Sequence, residues 1–60
     1  MLKHEATAHA AVWATTASKL QERVEQETII INDQRILPGY LCAVRDLALA
    51  VSQSYRELAE

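Results

Sequence analysis

The chain has one cysteine, one glycine, one proline and no phenylalanine in sixty residues. A lone cysteine excludes an internal disulfide and suits a reducing, cytoplasmic location. A single glycine leaves no material for a phosphate-cradling loop. Apolar runs such as Ile29-Ile30-Ile31 fall far short of the roughly 20 residues that a membrane span requires, so no membrane partner is expected. The opening Met1-Leu2-Lys3-His4-Glu5 lacks the charged-then-apolar layout of a secretory leader. Charge of one sign is also missing. Six basic residues face eight acidic ones for a net charge of −2, and Lys3, Lys19, Arg23, Arg35, Arg45 and Arg56 are scattered along the chain. Without a basic cluster, direct nucleic-acid binding is not expected.

What is present is apolar and helix-forming. Half of the residues are hydrophobic, too many for a disordered tail. A chain of this size buries only about 60% of its unfolded surface and needs a staple. Disulfides are excluded, and two histidines with one cysteine make a poor metal set. Association with other chains is the staple that remains.

Residues 5–27 read as a helix. Ala6, Ala10, Trp13, Ala17, Leu20 and Val24 recur at spacings of 4, 3, 4, 3 and 4, the seam of a helix packed lengthwise on another. Trp13 is expected as an anchor of that seam. Lys19 with Glu22 and Arg23 with Glu27 are spaced to pair on the solvent side. Residues 28–38 break the pattern. Thr28-Ile29-Ile30-Ile31 is β-branched throughout and favours extended backbone. Asn32-Asp33-Gln34 is a turn signal, and Pro38 disfavours helical backbone at Leu37. Five Ile or Leu residues in eleven indicate a short ordered connection, for which a small β-hairpin is one open form.

Residues 39–59 read as a second helix. Leu41, Val44, Ala48, Val51, Tyr55 and Leu58 form one seam, and Tyr40, Ala43, Leu47, Ala50 and Ser54 form another beside it. Arg45, Ser52, Gln53, Arg56 and Glu60 make the polar face, with Leu49 among them. Two adjacent seams are wider than one partner helix covers. Helices of about 34 and 31 Å suit an antiparallel hairpin, a single all-α domain over residues 1–60. Helix 1 covers the first seam. Tyr40, Ala43, Leu47, Leu49, Ala50 and Ser54 are the candidate protein interface, and at least a dimer, most simply a four-helix bundle, is expected.

No chemistry-bearing constellation competes with this reading. His4, Glu5 and His9 give H-E-x-x-x-H, which sets the imidazoles about 140° apart on a helix, whereas the zinc-protease motif needs one residue fewer. Glu5 and His9 are spaced for a weak pair when His9 is charged. Cys42 has no histidine near it in sequence to act as a base. Glu22, Glu25 and Glu27 point to different sides of their helix and lack an E-x-x-H partner. Neither catalytic residues, nor a cofactor, nor a metal are expected, and the chain reads as no enzyme.

Two stretches carry a family resemblance. Leu20-Gln21-Glu22-Arg23-Val24-Glu25 resembles the L-x-x-R-[LV]-E end of the first helix in the oligomerisation core of small terminase-like DNA-packaging proteins of tailed phages. Leu37-Pro38 and Arg45-Asp46-Leu47-Ala48 are similar to the start of that core's second helix, with extra residues between them. The resemblance spans residues 13–58. It implies a ring- or bundle-forming subunit that supports a packaging ATPase. The family's DNA-reading helix-turn-helix and basic tail are not among these residues. The alternative function is a small helical-hairpin chaperone or adaptor, which would cover a partner protein's amphipathic helix.

Overall fold

The computed structural model describes residues 1–60. Four elements follow one another: α1 (Lys3–Glu27), β1 (Ile29–Ile31), β2 (Gln34–Ile36) and α2 (Gly39–Ala59). The two helices pack against each other, and β1 and β2 pair as an antiparallel hairpin at their joined end. This is the expected helical hairpin, with the β-hairpin form of the connection.

Each boundary has a local cause. α1 starts two residues earlier than the sequence suggests, where the Ala6 N–H donates to the Leu2 carbonyl at 3.0 Å. Its far end stops at the β-branched run. Thr28 is already extended (φ −69°, ψ 130°), and its hydroxyl donates to the Val24 carbonyl at 2.6 Å. That carbonyl is one of the four a helix end leaves without an intrahelical partner. Arg23 pairs with Glu27 at 2.7 Å, as their spacing predicts, while Lys19 and Glu22 form no pair. α2 begins at Gly39 behind Pro38, whose carbonyl takes the Cys42 N–H at 3.0 Å.

The β-hairpin pairs Ile29 with Ile36, Ile30 with Arg35 and Ile31 with Gln34. Its loop is Asn32-Asp33, at φ 51° and 64°. Two positive values in a two-residue loop define a type I′ turn, whose twist matches that of the strands. Asparagine tolerates this backbone; aspartate does so less well than glycine. Asp33→Gly is therefore expected to stabilise the chain by about 0.5–1 kcal/mol. At fixed protein concentration that is a Tm rise of about 2–8 °C. A Tm that stays put or falls would show that the turn contributes no strain.

The core between the helices is thin. Its buried side chains are Ala6, Ala10, Ala17 and Val24 from α1 with Leu41, Ala48 and Ser52 from α2. The α1 seam is the expected one, except at its aromatic. Trp13 is 37% exposed and lies at the edge of the contact, not inside it. The α2 seam is turned by about half of the 100° step between residues. Leu58, expected inside, is exposed, and Ala59 is half-buried in its stead. Ser52 and Arg45, expected on the polar face, turn toward α1. The cause lies in the partner surface. Alanines on α1 let the axes approach closely, so a small side chain fits best opposite them. Ser52 fits, and its hydroxyl donates to the Ala10 carbonyl at 2.7 Å. Arg45 lays its stem on the contact and donates from Nη1 to Gln21 Oε1 at 2.6 Å. No buried side-chain polar atom is left without a partner. The same rotation carries Val44 and Val51 to the margin of the contact, where they are only half-buried.

The result is a layer two helices wide, with principal extents of 50 × 14 × 13 Å. Its accessible surface is 4572 Å², whereas a compact monomer of 6.7 kDa exposes about 3,900 Å².

Candidate interaction surface

Two cross-helix contacts distinguish the broad faces of this layer. On one face His9 of α1 stacks on Tyr55 of α2, with ring centroids 5.0 Å apart and planes 28° from parallel. His9 stays exposed beside this contact, and Glu5 forms no ion pair with it. On the other face Gln21 meets Arg45, which also donates to the Asp46 carboxylate at 2.9 and 3.0 Å.

Helical periodicity extends both faces. From His9, steps of 3, 4, 7 and 11 place Val12, Trp13, Thr16 and Leu20 on the stacking face. From Tyr55, steps of 3, 4, 8 and 11 place Leu58, Val51, Leu47 and Val44 beside them. Thr16 is the one polar side chain of this set, and its hydroxyl donates to the Val12 carbonyl at 3.0 Å, which leaves its methyl group to the surface. The hydrogen-bonding face is different in kind. Ala17, Ser18, Gln21, Arg45, Asp46 and Leu49 line a shallow groove there. Leu49 is its one large apolar side chain.

The six residues expected as an interface are all exposed: Tyr40, Ala43, Leu47, Leu49, Ala50 and Ser54. The fold does not gather them into one surface. Leu47 (63% exposed) and Tyr40 belong to the stacking face, and Leu49 (51% exposed) to the opposite one. Ala43 and Ala50 lie on the back of α2, and the Ser54 hydroxyl is held by the Ala50 carbonyl at 3.0 Å. Periodicity on α2 alone misses the share of α1. Val12, one residue before Trp13 and off the seam, was the available signal: a large aliphatic side chain that the hairpin contact has no use for.

A second apolar surface stands at the tip. Ile29, Ile30, Ile31, Ile36 and Leu37 are all exposed, Ile30 most of all at 72%. Cys42 is a free, half-buried thiol. No three His, Cys, Asp or Glu side chains converge on a point that could hold a metal ion. No helix is long and apolar enough to cross a membrane.

The architecture defines a two-helix antiparallel hairpin capped by a β-hairpin. Comparison with known protein families, characterised proteins and solved structures finds no match to the chain.

Proposed function

We propose that the chain is a non-enzymatic helical module whose role is self-association, completing a helical bundle from two or more copies in the cytoplasm. One observation carries this reading. The hairpin exposes about 670 Å² more than a compact monomer of its mass, and Val24 is its one fully buried side chain larger than alanine. Such a core lacks the apolar burial that offsets the entropy of ordering sixty residues. A second chain supplies the missing burial.

The phage DNA-packaging form of this proposal rests on the terminase-like stretches. Gln21 and Arg45, one from each stretch, are hydrogen-bonded to each other, so the two lie together in the hairpin. The exposed isoleucine tip favours a second reading, an adaptor that holds a partner protein by that end.

Light scattering on the purified chain tests the proposal. A mass of at least twice 6.7 kDa is expected at micromolar concentration. A folded, well-behaved monomer would contradict it and favour the adaptor.

A further inference from the structure

Self-association leaves open which face meets the second chain. Resting on that reading, we infer that a second copy of this chain covers the stacking face, in a two-fold dimer whose new core is Val12, Trp13 and Leu20 of α1 with Val44, Leu47 and Val51 of α2, each contributed twice.

Three observations lead there. The first is area. If each copy hides its excess of about 670 Å², the pair buries about 1,300 Å², inside the range of about 1,200–2,000 Å² for a specific interface. The excess surface of one hairpin thus matches what a stable dimer needs from each partner. The second is self-complementarity. In a two-fold contact the residues near the axis meet their own copies, so a charge there faces a like charge. The middle of the stacking face, between Val12 and Leu20 on α1 and between Leu47 and Val51 on α2, carries one charge, Lys19, which borders Val12 and Thr16 on the side of α1 away from α2. Toward the hairpin tip the charges of Arg23 and Glu27 are already paired within the chain at 2.7 Å. The third is the contrast with the opposite face. There Arg45 and Asp46 stand near the middle, and the exposed Asp46 carboxylate would lose water on docking.

Covering the stacking face also gives Trp13 a physical role. Its exposed edge closes against the partner, so the indole anchors the bundle and not the hairpin. Large aromatics of this kind dominate the energetics of small interfaces.

Mass and helicity are measured for the parent chain, Leu47→Glu and Leu49→Glu at the same concentrations. The expected result is a dimeric parent, a Leu49→Glu variant that stays dimeric, and a Leu47→Glu variant whose mass halves to 6.7 kDa. A parent that assembles together with a Leu47→Glu variant that assembles equally well would overturn the face while leaving self-association standing. A parent that is monomeric throughout would remove the underlying reading as well. Should Leu47→Glu lose its helicity, the parent decides the matter through its single tryptophan. Trp13 emission is expected to move to the red as dilution splits the dimer. A mass that falls from dimer to monomer with no change in Trp13 emission would place the interface elsewhere.

Discussion

Val24→Asp is expected to abolish the helical circular dichroism of the chain at 25 °C, whereas Val24→Ala is expected to weaken it without doing so. Val24 is 1% exposed and occupies the end of the seam nearest the β-hairpin. A domain of sixty residues is stable by about 3–9 kcal/mol. A carboxylate buried there without a partner costs several kcal/mol, which takes most or all of that stability. The nearby cations are engaged, Arg23 with Glu27 on the exposed side of α1 and Arg45 with Gln21 and Asp46. Removing two carbons in Val24→Ala costs about 2 kcal/mol and leaves the fold populated at high concentration. Comparison of the two variants separates charge from volume. A Val24→Asp chain with parental helicity would mean that the seam near the tip is open to water.

Ala48→Leu has the second-largest effect. Ala48 is 2% exposed and faces the alanines of α1 midway along the contact. The larger side chain adds three carbons where small residues set the distance between the axes. Overpacking of this kind costs about 1–3 kcal/mol, from about a tenth to all of the total. Ala50→Leu on the exposed back of α2 is the control and changes stability by less than about 0.5 kcal/mol. Thermal unfolding of both at one concentration checks the pair. Equal Tm values for the two would show that α1 and α2 are not held as closely as their alanine seam permits.

The features behind these two effects were legible to different degrees. The α1 seam could be read directly, because Ala6, Ala10, Ala17 and Val24 repeat at spacings of 4, 7 and 7. The start of α2 was equally plain, because Pro38 and Gly39 stop an extended segment and open a helix. The β-hairpin was visible as a possibility in Thr28-Ile29-Ile30-Ile31 followed by Asn32-Asp33; its register is set by the two-residue loop.

The rotation of α2 was not legible. Hydropathy alone turns Val51 and Leu58 inward and leaves Ser52 and Arg45 in water. The fold turns Leu58 out, leaves Val51 half-buried and draws both polar side chains toward α1, where they find acceptors in the Ala10 carbonyl and the Gln21 amide oxygen. Those acceptors belong to tertiary geometry, and the pattern of a single helix does not contain them. The same rotation explains why the six expected interface residues scatter. A surplus of apolar residues on α2 was evident, but its direction depends on where α1 sits. Leu47 and Leu49, two residues apart, end on opposite faces.

The central claim is that this hairpin completes its core by association, so that folding and assembly are one process. Mass and thermal unfolding monitored together over a hundredfold dilution test it most directly. Mass action predicts that Tm falls as the chain is diluted, in step with a loss of mass from oligomer toward 6.7 kDa. A Tm that stays constant across that range, with a monomeric mass at every concentration, would contradict the account.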